Sequence, residues 1–324
     1  MSEIRQDPTT GDWILVAPRR VSRPWQPSDF CPFDPGAPET GYGWDALILP
    51  NRYPVVAPDA PEVEPDPFYA RLRAYGRALV VVETPEHGLD DISDLPEAQI
   101  RRVLGLVAEE MAKAASDPAI AYFLFFRNKG REIGVSLTHP HSQIYELPVV
   151  PARVARELER SKSYYEERGR CLHCDIISAE SKSKRVVASW PRWIAFVPFY
   201  ARWPHEVHLY PTRHVQLFTE LGEEELDELA AALKLVLCGL NKALGKPMPY
   251  MMVLHQAPLR GGPYPHYHLH FEIYGMYRPD GKLKYAASAE TGANIYTLDT
   301  TPEDAAERIR AGVEICSASR LGHA

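Results

Sequence analysis

The placement of histidine constrains this chain more than any other feature. Of its 12 histidines, eight fall into two sets with matching intervals. The first set is His87, His139 and His141; the second is His214, His255, His266, His268 and His270. His87 and His139 stand 52 residues apart, and so do His214 and His266. Cysteine precedes each set, in Cys31-Pro32-Phe33-Asp34 and in Cys171-Leu172-His173-Cys174. Matched features at a fixed interval mark a duplicated structural unit. Residues 1–160 and 161–324 therefore read as two related halves.

The flanks support the duplication. Ile100, Leu104, Val107 and Met111 recur at helical spacing in the first half, and Leu226, Leu229, Leu233 and Leu240 do so in the second. These runs predict helices over about 96–115 and 223–244. Alternating or β-branched and aromatic stretches predict strands over 46–49, 78–83, 121–128, 141–146, 193–198, 206–210, 250–255 and 268–274. A further helix over 152–168 joins the halves. The Pro-rich acidic stretch 57–67 is a loop, and nothing resembles a flexible linker. The fold class is α+β: two tandem repeats, each a mainly antiparallel sheet with one long helix, packed as one unit.

Composition narrows the partners. Apolar residues make up 45% and the net charge is −7, so a core is expected and nucleic acid or an anionic membrane is not the expected partner. No signal peptide and no apolar run long enough to span a membrane is read in the chain. Five cysteines do not make a disulfide scaffold, and a reducing, cytoplasmic compartment is the expectation.

Cys31, Asp34, His87 and His139 form one candidate metal set, and Cys171, Cys174, His214 and His266 form another. Four soft or borderline donors suit tetrahedral zinc, in closed sites that are structural. Asp34 stands where the second half has a cysteine, so the first site is expected to bind metal more weakly. In His139-Pro140-His141-Ser142-Gln143, residues two apart share a strand face. With His139 committed to metal, His141 can attack a phosphoryl group, because imidazole is largely unprotonated near neutral pH. Gln143 would donate to phosphoryl oxygens. Asn128, Gly130, Gly134 and Ser136 would form a loop that cradles phosphates.

The run from Asn128 to Gln143 resembles the active-site signature of galactose-1-phosphate uridylyltransferases, the transferase branch of the histidine-triad superfamily. Asp7-Pro8-Thr9-Thr10-Gly11-Asp12-Trp13, Asn51-Arg52-Tyr53-Pro54 and Lys284-Tyr285 through Glu290 also resemble that family. The resemblance implies a ping-pong exchange of UMP between UDP-glucose and galactose 1-phosphate, with His141 as the nucleophile and Gln143 steadying the intermediate. It implies that Asn128, Gly134 and Ser136 contact the phosphates, and that Phe33, Asn51 and Tyr53 lie near the uridine. Arg20, Arg23, Lys284 and Glu290 would hold the hexose phosphate, and the family expectation is a homodimer. It places a first zinc on Cys31, Asp34, His87 and His139. A second cation, such as iron, falls to Glu157, His255, His268 and His270. The Cys171 set resembles the second zinc of nucleotide-sugar phosphorylase relatives.

Two other functions compete. One is an ADP-glucose-type phosphorylase or adenylyltransferase, separated from the first reading by the base pocket. The other is a zinc-stabilised nucleotide-binding protein without turnover, against which an intact His141 and Gln143 argue. His268 is a second candidate nucleophile, but the loop before it lacks the asparagine.

Overall fold

The computed structural model describes residues 2–22, 30–89 and 91–321. In chain order the strands and helices are β1 (Glu3–Gln6), β2 (Trp13–Val16), β3 (Leu47–Pro50), β4 (Arg71–Arg73), β5 (Arg77–Val82), α1 (Glu97–Ala114), β6 (Tyr122–Lys129), β7 (His141–Leu147), α2 (Ala152–Arg168), α3 (Leu172–Glu180), β8 (Val186–Ser189), β9 (Trp193–Phe196), β10 (His205–Pro211), α4 (Glu223–Ala243), β11 (Tyr250–His255), β12 (His270–Gly275), α5 (Ser288–Ala293) and α6 (Pro302–Leu321).

Nine strands form one antiparallel sheet in the order β3-β5-β7-β6-β11-β12-β10-β9-β8, and β2-β1-β4 form a small separate sheet. The large sheet is two copies of one motif. In the first half β6, β7, β5 and β3 run outward from the centre; in the second, β11, β12, β10 and β9 repeat that order. The halves meet where β6 pairs with β11, Tyr250 opposite Lys129 and Val253 opposite Phe126.

Strand alternation sorts the side chains into two layers. On β5, Leu79 and Val81 face a core that also takes Phe123, Phe125 and Ile144, whereas Val80 and Val82 pack with Cys31 and Phe33 on the opposite face. On β12, Phe271 and Ile273 join the core. The helices α1, α4 and α6 cover the core face. Helix α1 buries Ile100, Val103, Leu104, Val107, Met111 and Ala114, a stripe with 3- and 4-residue steps. Each such large side chain contributes about 1.5–3 kcal/mol by leaving water. His141 and Gln143 point to the other face, the one without these helices.

The eight predicted strands all form, each to within a few residues, as do the three predicted helices. Strands β1, β2, β4 and β8 and helices α3, α5 and α6 were not predicted. Two of the five cysteines are also bonded: Cys238 on α4 and Cys316 on α6 form a disulfide. No helix among the described residues is long and apolar enough to cross a membrane.

Candidate functional site

His139 and His141 are set by two backbone carbonyls. The His139 Nε2 donates to the Thr84 carbonyl at 2.8 Å, and the His141 Nδ1 donates to the His139 carbonyl at 2.8 Å. A carbonyl only accepts, so each contact fixes a tautomer. His139 keeps its lone pair on Nδ1, and His141 keeps its own on Nε2. The carbonyl partner thereby orients each imidazole and turns the His139 Nδ1 towards the Cys31, Asp34 and His87 side chains.

The His139 Nδ1 lies 3.7 Å from the Cys31 Sγ, 3.4 Å from the His87 Nδ1 and 3.4 Å from the Asp34 carboxylate. One donor atom from each of Cys31, Asp34, His87 and His139 lies within 4.8 Å of the others, as a single ion requires. Burial pushes the Cys31 thiol up to about 11, with Asp34 adding to the shift, so a cation must displace its proton to bind. Burial likewise lowers the pKa of His139 and keeps its ring neutral, the form that ligates.

His141 stands between two cavities. One, of about 110 Å³, is lined by Pro32, Phe33, Leu49, Asn51, Tyr53, Val80, Ser136 and Gln143. It is largely apolar, with the Phe33 ring 5.4 Å from that of His141. The other, of about 210 Å³, is lined by Asn128, Lys129, Gly130, Arg131 and Thr138. Here the chain leaves β6 at Gly130, φ +111°, and the following turn closes at Gly134, φ +80°. Both are left-handed conformations that favour glycine. A Cβ on Gly130 would meet the Pro249 Cβ at 2.7 Å, so the loop closes against β11. An apolar cavity joined at an imidazole to a glycine-turned loop has the form of a nucleotide site.

The second half repeats the first. His268 Nε2 donates to the Pro211 carbonyl at 3.1 Å, and His270 Nδ1 donates to the His268 carbonyl at 3.0 Å. His268 is therefore the counterpart of His139, and His270 that of His141. This corrects the equal 52-residue interval, which paired His139 with His266. Cys171, Cys174, His214 and His268 form the cluster, with the Cys174 Sγ 3.3 Å from the His214 Nδ1 and 3.5 Å from the His268 Nδ1. His266 contributes only its carbonyl, 3.5 Å from the Cys171 Sγ, while its ring lies against Tyr264 and Tyr165. The two thiols titrate as a unit: the hydrogen bond between them lowers Cys171 and raises Cys174.

His268 is thus lost to the predicted Glu157 set, in which Glu157, His255 and His270 remain together. Glu157 Oε2 lies 2.8 Å from the His255 Nδ1. Burial opposes charge on His255, but Glu157 and Glu272 outweigh it and raise its pKa. Glu272 was missed by sequence reasoning. It is 3.4 Å from the His255 Nε2 and 3.6 Å from the His270 Nε2. It stands two residues beyond His270, where Gln143 stands beyond His141, and that offset was the signal that could have found it. Beside it His208, paired with Glu272 across the strands, takes the position that Val80 holds opposite Gln143. The second-half pocket, about 720 Å³ and lined by Glu157, His173, Arg202, His270 and Glu272, is ionic where the first is apolar.

The remaining predicted residues divide. Asn51 accepts from the Tyr53 amide at 2.9 Å, both residues lining the apolar cavity, and Arg20 donates to the Tyr53 carbonyl at 3.2 Å. Lys284 and Glu290 bond to each other at 2.8 Å and line neither cavity of His141. Arg23 lies outside the described residues.

Comparison with known proteins decides the family. Residues 35–151 match the galactose-1-phosphate uridyl transferase N-terminal domain and residues 157–318 match its C-terminal domain. The chain belongs to the galactose-1-phosphate uridylyltransferase family. A Thermotoga maritima member named galactose-1-phosphate uridylyltransferase is 35% identical, covering 96% of this chain and 98% of that one. A solved structure described as a uridylyltransferase is 60% identical with a TM-score of 0.91, covering 97% and 99% of the two chains. The chain is also similar to an Arabidopsis thaliana ADP-glucose phosphorylase solved with bound ADP-glucose. That chain is 28% identical with a TM-score of 0.75, over 96% of this chain and 99% of that one.

Proposed function

We propose that the chain transfers UMP from UDP-glucose to galactose 1-phosphate through a uridylyl-histidine. The observation that carries this reading is the His141 imidazole, its Nδ1 held by the His139 carbonyl, between the apolar cavity and the glycine-turned loop. The Nε2 lone pair attacks the α-phosphorus, an N–P bond forms, and the P–O bond to glucose 1-phosphate breaks. In the second half-reaction a phosphate oxygen of galactose 1-phosphate attacks the same phosphorus and restores the imidazole. The Gln143 amide donates to the phosphoryl oxygens, where charge grows in the transition state. Asn128, Gly134 and Ser136 hold the phosphates, and Phe33, Asn51 and Tyr53 flank the uridine. Burial of the site keeps water from the adduct.

Zinc is the cation proposed for Cys31/Asp34/His87/His139 and for Cys171/Cys174/His214/His268, whose donors suit it in number and type. In both it would be structural, tying an early loop to a central strand. A second cation such as iron is proposed for Glu157, His255 and His270, donors of the type a borderline metal takes. The first half, 1–160, carries the transfer chemistry in this reading. Arg20, Arg23, Lys284 and Glu290 are proposed to serve the hexose phosphate in a homodimer, which accords with the distance of Lys284 and Glu290 from their own chain's cavities.

A second reading is transfer of AMP from ADP-glucose, favoured by full-length similarity to the Arabidopsis phosphorylase. Intact mass after mixing with UDP-glucose or ADP-glucose, with His141→Ala alongside, separates the two. The expected result is a UMP-sized increment from UDP-glucose alone, absent in the variant. An AMP-sized increment moves the chain to the second reading; an adduct that survives in His141→Ala but not in His270→Ala reverses the choice of nucleophile.

A further inference from the structure

Behind the nucleophile lies a buried charged network given no role in the chemistry above, although two of its members, Arg127 and Lys129, also line the loop-side cavity of His141. Glu83 is fully buried at the end of β5 and Arg127 is nearly so, one residue before Asn128 on β6. The Arg127 Nε donates to the two Glu83 oxygens at 3.1 and 3.2 Å, and a second guanidinium nitrogen donates at 3.1 Å. The Ser142 hydroxyl, on the residue after His141, donates to the same carboxylate. The Glu83 amide donates to the Pro140 carbonyl at 3.1 Å, and the Gln99 side chain donates to the Glu83 carbonyl at 2.7 Å. Beyond Arg127, Tyr250 accepts from the guanidinium at 3.0 Å and donates to Asp91 at 2.7 Å. Lys129 completes the group 3.6 Å from Asp91.

Burying ions has a desolvation cost that a hydrophobic replacement would avoid. A network of this kind earns no stability argument by itself; what it does is fix relative position. Glu83 touches the segment His139–Ser142 at two points, the Pro140 carbonyl and the Ser142 hydroxyl, on both sides of His141. Its carboxylate also accepts from Arg127, and Asn128 follows on the opposite face. The nucleophile strand and the strand that opens the phosphate loop are therefore joined through one carboxylate.

We propose that Glu83 is a positioning residue for the transfer: through Ser142 and Arg127 it sets the distance between the His141 imidazole and the phosphate loop. This rests on His141 being the nucleophile. A displacement of about 1 Å between reacting groups costs on the order of 10²-fold in rate. A group of this kind therefore acts on the rate of transfer while leaving nucleotide binding in place.

The test measures three quantities for wild type, Ser142→Ala, Glu83→Gln and the double variant. They are the single-turnover rate of the UMP adduct by quenched intact mass, UDP affinity by calorimetry, and Tm. Ser142→Ala is expected to slow adduct formation about tenfold with the UDP Kd within twofold of wild type. Glu83→Gln is expected to slow it further, because the neutral amide offers one acceptor oxygen where the carboxylate offers two, and the double variant to slow it by less than the product of the two single effects, because both changes act through the same link. Ser142→Ala preserves the buried ion pair, so it remains decisive if Glu83→Gln fails to fold. Rates within twofold of wild type in the folded variants, even with lowered Tm, overturn the positioning role alone. Absence of adduct in wild type overturns the nucleophile assignment and the positioning role with it.

Discussion

Asp34 is the chemical difference between the two four-donor clusters. Its counterpart Cys174 is a thiol, and a thiolate is the softer and stronger ligand for zinc. Asp34 also keeps 42% of its side-chain surface exposed, so water competes with it for an ion. Asp34→Cys is therefore expected to tighten zinc at the first cluster by at least about tenfold, read by competition with a chromophoric chelator. Equal retention by wild type and variant would mean that the carboxylate already serves as well as sulfur. A second residue, far from any cluster, predicts an acid response. His205 is fully buried on β10, its Nδ1 donating to the Tyr277 carbonyl at 2.8 Å. Burial pushes its pKa down to about 4. The unfolded chain, with histidine near its ordinary value of about 6.5, takes up this proton first. Stability from the neutral ring is thus present above pH 6.5 and is lost as pH falls towards 4. Urea unfolding at pH 7 and pH 5 should show a loss about 2 kcal/mol smaller in His205→Gln than in wild type. Equal losses would place the acid sensitivity elsewhere.

At the scale of elements, the loop after β6 depends on its first glycine. Gly130→Ala would require φ +111° of a side-chain residue and press its Cβ onto Pro249. The loop must shift, and with it the amides proposed to face the phosphates. Adduct formation should fall at least about tenfold while Tm moves by only a few degrees, since the strain is local. An unchanged rate would remove the loop from the phosphate site. What the sequence revealed about elements follows their physics. Eight of the nine strands of the large sheet were legible because one face is core and their residues alternate or are β-branched; the four-residue edge strand β8 was not. Helix α6 was not, because its buried face is Ala305, Ala306, Ile309, Val313 and Cys316, mostly small residues that give a faint apolar stripe. Helix α3 is only nine residues long and starts at the Cys171 turn, too short for periodicity to declare itself. The metal-type clusters were legible from residue chemistry. Their membership was not, because His266 and His268 offer the same donor, and only the connection between β11 and β12, longer than its first-half counterpart, decides between them.

At the scale of the whole molecule, the large sheet is made of two halves with different surroundings at equivalent positions. The first half keeps an apolar slot and a neutral amide, Gln143, beside its imidazole, which suits an uncharged base and an anionic phosphate. The second half places Glu272 and Glu157 beside the equivalent imidazole and pairs Glu272 with Arg153 and Arg202, which makes a closed ionic network in place of an apolar cavity. Behind the sheet, α4 and α6 are pressed together: a Cβ on Gly312 would lie 2.4 Å from the Gly239 carbonyl oxygen, and the Cys238–Cys316 bond lies beside this contact. That bond closes a loop across a separation of 78 residues and joins the C-terminal helix to the core. A crosslink of this span stabilises by about 2–4 kcal/mol, chiefly by restricting the unfolded chain. Neither cysteine lines a cavity of His141, which lies on the other side of the sheet. The two properties should therefore separate. Cys316→Ser is expected to lower Tm by about 4 °C for a chain of this size, with the UMP adduct forming at the wild-type rate at 25 °C. A fall in that rate without a fall in Tm would show that the docking of α6 is transmitted through the sheet to the nucleophile, and the two faces would then be one device.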